Sequence, residues 1–218
     1  MPFAKSKKHT VLKAGVSVAA LMLAGFMATG TAMAEAGDVR IRARGLWVVP
    51  DESATITAIG GTVDLDTDFV PEIDISYFFA KNWAVELVLA SSEHNPVAVG
   101  TSLGDVALGD VNTLPPSLVL QYHPFAGETF SPYIGAGINY TLFFGEDRSP
   151  AADQRLDYSS SFGLSLQAGF DVKINDQWVF NVDVKRVEID TDVTVAPGVI
   201  ADVSVDPWTI GVGFGFTF

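Results

Sequence analysis

The chain has 218 residues, a formal charge of −13 and no cysteine, and 48% of its residues are hydrophobic. The lack of Cys excludes disulfides and Cys-based zinc sites, and the acidic balance argues against nucleic acid as a partner. Beyond residue 34, no apolar run is long enough for a membrane-spanning helix, so this apolar content favours membrane-spanning strands instead.

The first 34 residues have the composition of a secretory signal peptide. Four lysines lie in residues 5–13, residues 14–28 are mostly apolar and small, and residues 32–34 read Ala-Met-Ala. This order predicts cleavage after Ala34, with residues 35–218 forming the mature domain. A retained N-terminal membrane anchor is the alternative, which the short apolar stretch disfavours.

Eight later segments alternate apolar with polar or small residues, the period-two pattern of β-strands. The predicted strands cover residues 39–49, 68–79, 83–91, 114–123, 132–144 and 158–174, a segment from 178, and a last segment after 196–198. In the seventh, the alternation changes parity near Arg186, which predicts a β-bulge or an exit from the membrane.

The last segment, residues 208–218, has the strictest alternation. Every even position is large and apolar, and every odd position is Gly or Thr. A soluble sheet would carry charge on its second face, whereas this pattern suits a strand whose bulky face meets lipid and whose small face lines a crowded interior. We expect it to close a membrane barrel.

The turns between the segments alternate in length. Residues 80–82 and 175–177 are short turns and residues 124–131 a moderate one, whereas residues 51–67, 92–113, 145–157 and 190–202 are long and mostly polar. Short periplasmic turns and long extracellular loops are typical of outer membrane proteins. The sequence therefore predicts an all-β fold, an eight-stranded antiparallel transmembrane β-barrel in the bacterial outer membrane.

The predicted inward faces carry all the strand charges. A charged plug is predicted at the periplasmic half from Arg40, Arg42, Arg44, Glu72, Asp74, Glu86, Asp183 and Lys185, with Asp171 and Lys173 also inward. Charges in a dry interior must pair, so a structural ion network is one interpretation and a selective polar gate the other. Above it, an apolar funnel is predicted from Leu46, Val48, Val70, Val88, Phe143 and Val187.

Three further features bear on function. Aromatic girdle residues are predicted at Trp83, Trp178, Trp208 and Phe218. The prolines 71, 115, 116, 132 and 207 each remove a ladder donor, so gaps in the barrel wall are predicted unless these prolines mark strand ends. Acidic stretches 64–68 and 188–192 lack the EF-hand spacing, and we predict no metal and no cofactor.

Three segments carry a resemblance to a known family. They are LPPSL at residues 114–118, PYIGAGINYT at 132–141, and DPW at 206–208 together with a terminal Phe218. In order and spacing the chain resembles the OmpW family of outer membrane proteins, whose relatives include alkane-uptake proteins. The resemblance implies an eight-stranded barrel that passes small hydrophobic compounds, with lateral exit through its wall. It also implies that the C-terminal strand is the signal for the barrel assembly machinery.

Two functions are compatible with these features. The first is passive uptake of small hydrophobic molecules, with outer membrane lipid and lipopolysaccharide as the surroundings. The second is a structural or surface-interaction barrel that binds phage, bacteriocin or host and transports nothing. Ser92, Glu93 and His94 supply the residue types of a hydrolase, but adjacency in a loop is not geometry, and we predict that the protein is not an enzyme. His123 is expected to be an ordinary interfacial residue.

Overall fold

The computed structural model describes residues 35–51, 53–55, 61–65, 67–102, 104–107, 110–145, 148–149, 154–196 and 199–218. The predicted signal peptide lies outside these residues. No helix in the described part of the chain is long and apolar enough to cross a membrane.

Eight long strands form the body of the described chain. They are β1 (Val39–Val49), β2 (Asp68–Ala80), β3 (Trp83–Ala90), β4 (Ser117–Tyr122), β5 (Phe130–Phe144), β6 (Ser161–Lys173), β7 (Trp178–Val187) and β8 (Trp208–Thr217). Each strand pairs antiparallel with the next in chain order, and β8 pairs with β1. The sheet is thus closed, which confirms the predicted eight-stranded antiparallel barrel.

The two faces of the barrel differ as the alternation predicts. Outward side chains such as Phe69, Ile134 and Leu166 are large, apolar and about 60% exposed, whereas the inward polar side chains are buried. A soluble protein would cover such an apolar belt, and lipid is the environment that suits it.

Short connections join the strands at one end of the barrel. Residues 81–82 link β2 to β3, residues 123–129 link β4 to β5, and residues 174–177 link β6 to β7. In the last of these, Asn175 Oδ1 accepts hydrogen bonds from the backbone N–H groups of Gln177 and Trp178, both at 2.9 Å. An Asx-type turn therefore reverses the chain within four residues.

The opposite end is more regular than the predicted long loops. Its short strands are Ser53–Thr55, Thr62–Asp64, Ser92–His94, Val97–Thr101, Gly104–Ala107, Val111–Leu114, Arg148–Ser149, Gln154–Arg155, Asp157–Tyr158, Asp190–Ala196 and Val199–Ser204. A cluster of buried apolar side chains lies among them, formed by Val63, Ala98, Leu156, Val193 and Val203. The sequence analysis missed these strands because they are short and contain many Asp, Thr and Ser residues, which resemble loop composition.

The predicted change of parity near Arg186 is wrong. β7 alternates without interruption to Val187, and Arg186 points outward beside Trp208 and Leu166. Its guanidinium lies 5.3 Å from the centre of the Trp208 ring and pairs with Asp51 at 3.0 Å. Arg186 is thus an outward charge at the edge of the apolar belt, where a counterion and an aromatic face stabilise it.

Candidate functional site: the charged and apolar halves of the lumen

The small inward face of β8 makes room for arginine side chains from β1. A Cβ atom added at Gly215 would meet Arg42 Cγ at 2.9 Å, and one added at Gly211 would meet Arg44 Cδ at 3.2 Å. The register places Arg42 opposite Gly215 and Arg44 opposite Gly213. Because a side chain at these positions would occupy the space of the arginine stems, the Gly pattern and the Arg pattern belong to one packing arrangement.

Arg42 lies at the centre of the lower part of the charge network. Its Nη1 donates to Asp74 Oδ1 at 2.9 Å and to Ser76 Oγ at 2.8 Å, while Nη2 lies 3.1 Å from Asp171 Oδ2. Arg40 Nη1 donates to the same Asp171 oxygen at 2.6 Å. All five side chains are buried, so these are charge-assisted bonds screened from water.

Arg44 and Lys185 connect the upper part of the network. Arg44 Nε donates to Glu72 Oε1 at 2.7 Å, and its Nη2 donates to Glu86 Oε1 at 2.8 Å. Lys185 Nζ bridges Glu72 at 3.0 Å and Asp183 at 2.9 Å. Every charged residue predicted for the plug therefore meets a partner of opposite charge in a single buried network.

The network has one more carboxylate than it has cations. Its acids are Glu72, Asp74, Glu86, Asp171 and Asp183, and its bases are Arg40, Arg42, Arg44 and Lys185. The formal charge of this set is thus −1.

Four uncharged side chains that the sequence prediction did not assign to the plug complete these contacts: Gln121, Tyr133, Gln167 and Asn181. The Tyr133 hydroxyl and the Gln167 amide donate to Asp183 at 2.7 and 2.8 Å, and the Gln121 amide donates to Glu86. Each of these residues lies at an inward position of the predicted alternation, and this position was the signal that could have found them. Such uncharged donors bond the carboxylate oxygens for which the cations supply no donor.

His123 is not the interfacial residue that the sequence suggested. Its ring is fully buried at the periplasmic end of the lumen, 4.8 Å from the Tyr133 ring and 5.1 Å from the Phe78 ring. The Arg40 guanidinium lies over Phe78 at 5.1 Å. An aromatic layer therefore supports the charge network from below. A small polar cavity of about 20 Å³ opens beside Arg40, with room for about one water molecule.

The upper half of the lumen holds the residues predicted for the funnel together with buried uncharged polar side chains such as Asn139 and Thr141. Leu46, Val48 and Val70 pack together as one buried cluster, and Val88 and Val187 are buried on other strands at the same half of the barrel. Phe143, the last of the predicted funnel residues, is half-buried and stacks on Tyr158 with ring centres 5.5 Å apart.

The ladder of hydrogen bonds between β3 and β4 is interrupted beside this half of the lumen. The ladder between β3 and β4 ends at the pair Val88–Ser117. Further toward the extracellular end, pairing begins again at Ser92–Thr113, between the short strands Ser92–His94 and Val111–Leu114. Among the described residues, no ladder pairing joins 89–91 to 114–116. The unpaired stretch of three residues spans about 10 Å. It includes Pro115 and Pro116, which have no N–H to donate.

Polar side chains border the inner edge of this gap. The Asn139 amide donates to the carbonyls of Pro115 at 3.1 Å and Pro116 at 3.2 Å, and Thr141 Oγ1 donates to Asn139 Oδ1 at 2.7 Å. The carbonyl oxygens at the break are thereby satisfied without closing the ladder.

Ser92 and His94 lie above the gap and within hydrogen-bonding distance. Ser92 Oγ is 2.8 Å from His94 Nε2 and 2.8 Å from Thr113 Oγ1. Burial lowers the pKa of His94 below its ordinary value of 6.5, more than the nearby Asp68 raises it. In the part of the chain that the structure describes, no carboxylate is hydrogen-bonded to this imidazole, so the orienting acid of a catalytic triad is missing.

The predicted girdle tryptophans point away from the lumen. Trp83 and Trp178 begin β3 and β7 next to the short turns, and Trp208 begins β8 at the opposite end. Each is exposed by 40–45%. Anchoring of these residues at the membrane surfaces stays a prediction. Phe218, the fourth predicted girdle residue, follows directly after β8.

Among the described residues, no group of His, Asp and Glu side chains is arranged so that it could bind a metal ion. On the extracellular side, Asp192 and Asp202 are directly opposed on neighbouring strands. Their mutual hydrogen bond raises the pKa of Asp192 above its ordinary value of 3.8. They form a carboxyl pair on neighbouring strands, and two carboxylates alone are too few ligands for a metal site.

Solved structures with this arrangement are outer membrane proteins. The structure of OprG from Pseudomonas aeruginosa matches with a TM-score of 0.77 and 35% identity, covering 84% of this chain and 97% of that chain. The structure of AlkL in lipid bilayers matches with a TM-score of 0.69 and 25% identity, covering 89% and 95%. Together with the closed barrel and its apolar belt, these likenesses define an outer membrane β-barrel protein.

Sequence comparison is more specific. The model of the OmpW family matches residues 35–218, and the chain belongs to this family, as the resemblance indicated. The outer-membrane protein y4mB of Sinorhizobium fredii is 39% identical over 184 residues, covering 82% of this chain and 79% of the relative. Outer membrane protein W of Vibrio cholerae is 32% identical over 195 residues, covering 84% and 89%. The protein resides in the outer membrane and, like these relatives, is not an enzyme.

Proposed function

We propose that the protein is a passive conduit for small hydrophobic molecules across the outer membrane, in which the solute enters the apolar upper lumen and leaves sideways into the lipid. The observation that carries the proposal is the break between β3 and β4 at residues 114–116, directly above the buried charge network. A solute that enters from above meets charged side chains below and an open ladder at its side.

Energetics favour the sideways route for an apolar solute. The path through the network would require separation of buried ion pairs such as Arg44–Glu72 and Lys185–Asp183, and breaking one such pair costs roughly 3–5 kcal/mol. The path through the gap leads from the funnel to lipid past uncharged side chains such as Asn139, so it separates no buried ion pair. The resemblance to alkane-uptake proteins and the structural likeness to AlkL support the same class of solute.

The proposal can be tested by uptake into vesicles whose outer leaflet contains lipopolysaccharide, because this leaflet slows spontaneous entry of apolar solutes. Leu46→Arg and Phe143→Arg place a charge in the funnel and should reduce uptake of n-octane to near the protein-free rate. Pro115→Ala/Pro116→Ala restores two N–H donors and should also slow uptake. Pro132→Ala, in the continuous part of the β5–β6 ladder, is the matched control and should have no effect.

Wild-type rates of uptake in the Arg variants would refute the funnel as the route of the solute. Uptake by the wild type no faster than in protein-free vesicles would refute the conduit and favour the alternative of a structural or surface-interaction barrel, since the extracellular strands with their own apolar cluster would then be the remaining functional surface. Refolding yield in lipid for each variant shows whether a lost rate reflects a lost fold.

The C-terminal strand is proposed to serve assembly. By its resemblance, β8 with the following Phe218 is the segment that the barrel assembly machinery recognises. Deletion of Phe218 should lower the amount of protein in the outer membrane of cells while leaving refolding into lipid unaided by proteins unchanged.

A further inference from the structure

Two hydroxyl groups at the floor of the funnel point into the lumen without a hydrogen-bond partner. Ser165 is fully buried on β6, and Thr209 is 8% exposed on β8. Neither hydroxyl bonds any group in the part of the chain that the structure describes. A buried hydroxyl without a partner is costly, so a site that retains two of them is suited to a ligand that can bond them.

Both hydroxyls flank the point where the charged half gives way to the apolar half. In the register, Ser165 lies beside Val187, and Thr209 lies beside Lys185 and Val48. Lys185 is the uppermost cation of the network, held by Glu72 and Asp183, while Val187 and Val48 are funnel residues. The hydroxyls thus lie where the polar end of a solute would come to rest, with its apolar part among the valines.

The edge of the gap continues this polar lining with uncharged groups. Ser92, Thr113, Asn139 and Thr141 line it and hydrogen-bond to one another or to the backbone. A head group that leaves through the gap therefore passes neutral donors and acceptors throughout.

The network also disfavours an anionic head group. Each of its cations already pairs with a carboxylate, so a carboxylate head group at the funnel floor would lose its hydration without gaining a free counterion. Burial of an unpaired charge is costly, whereas an alcohol or carbonyl group is not affected in this way.

We propose that the preferred solute is a small hydrophobic molecule with one uncharged hydrogen-bonding head group, and that the Ser165 and Thr209 hydroxyls each offer this head group a hydrogen bond before the molecule leaves through the gap at residues 114–116. The proposal rests on the conduit function above and specifies the class of solute that the conduit selects.

The test uses lipopolysaccharide-containing vesicles with 1-octanol, n-octane and octanoate as probes. In the wild type, 1-octanol should saturate uptake at a lower concentration than either of the other two. Ser165→Ala/Thr209→Val should raise the half-saturating concentration of 1-octanol about fivefold to tenfold, as expected for the loss of one or two hydrogen bonds, and leave n-octane unchanged. Thr209→Ser keeps the hydroxyl and should retain the wild-type value.

Ser131→Ala removes a buried hydroxyl below the charge network and serves as the control, with no expected effect on any probe. An unchanged half-saturating concentration of 1-octanol in the double variant, or an equal rise in Ser131→Ala, would overturn the assignment of the head-group site. Preferred uptake of octanoate would overturn the charge selection. Failure of the wild type to take up any probe would instead refute the conduit itself.

Discussion

Replacement of Asp171 by Asn tests whether the buried network stabilises the barrel as a unit. Asp171 is 2% exposed and accepts hydrogen bonds from Arg40 Nη1 at 2.6 Å and from Arg42 Nη2 at 3.1 Å. It also accepts one from the Asn181 amide at 2.9 Å. Asn keeps the shape of the side chain, removes the charge and replaces one accepting oxygen by a donating NH2 group, so the loss combines electrostatic attraction with hydrogen bonds.

The expected cost can be bounded from these distances. Two unit charges 3 Å apart at an effective dielectric constant of 20 attract by about 5 kcal/mol, and breaking a buried pair costs roughly 3–5 kcal/mol. The network begins with one surplus carboxylate, so removal of one acid also relieves repulsion among the others. We therefore expect the free energy of unfolding to fall by about 3 kcal/mol, at the lower end of this range.

Urea unfolding of the refolded protein in lipid, followed by tryptophan fluorescence, measures this change. Asp176→Asn is the matched control, because Asp176 pairs with Lys173 at 3.0 Å but its side chain is 77% exposed. Such a surface pair contributes about 0–1 kcal/mol. A fall of less than 1 kcal/mol in Asp171→Asn, or equal effects of both substitutions, would refute the argument that burial makes the difference.

Two further predictions concern the small face of β8 and the extracellular carboxyl pair. Gly215→Val should destabilise the barrel by about 1–3 kcal/mol because its Cβ would lie 2.9 Å from Arg42 Cγ. Phe214→Leu changes the neighbouring outward-facing side chain and should lower the free energy of unfolding by less in the same urea assay. A larger loss in Phe214→Leu than in Gly215→Val would contradict the packing argument. Asp192 has a raised pKa in the folded protein, so its contribution to stability is present in acid and is lost as the pH rises through that pKa. Amide protection in the strands Asp190–Ala196 and Val199–Ser204 should be higher near pH 4 than near pH 7, and Asp192→Asn should abolish the difference; a pH-dependence that persists in this variant would assign it to another group.

The sequence was informative wherever one face of a strand meets lipid. Phe162, Leu164 and Leu166 alternate with small or polar residues because a lipid-facing charge would cost several kcal/mol, and this constraint leaves a period of two that can be read directly. The same parity correctly placed Arg40, Arg42 and Arg44 inside. It failed at Arg186, where the outer face reaches the membrane surface and a charge is tolerated.

Other features depend on residues far apart in the chain. The pairing of Arg40 with Asp171, 131 positions away, follows from the closure of the barrel and from side-chain lengths, neither of which leaves a local signal. The gap beside Pro115 and Pro116 likewise requires the register of β3 against β4, and a proline alone is equally consistent with a strand end. His123 was misjudged because its position near a turn says nothing about the rings of Phe78 and Tyr133 that enclose it.

The sequence by itself determined the eight membrane strands, their inward and outward faces, and the outer membrane as their destination, because water, lipid and a crowded lumen each restrict the residue types at alternate positions. Only the tertiary structure decided which charges pair, where the β3–β4 ladder is interrupted and which hydroxyls lack a partner among the described residues, because these depend on the strand register around a closed sheet. The glycines of β8 lie between the two: their spacing predicts a crowded interior, and the structure identifies the arginine stems that fill it.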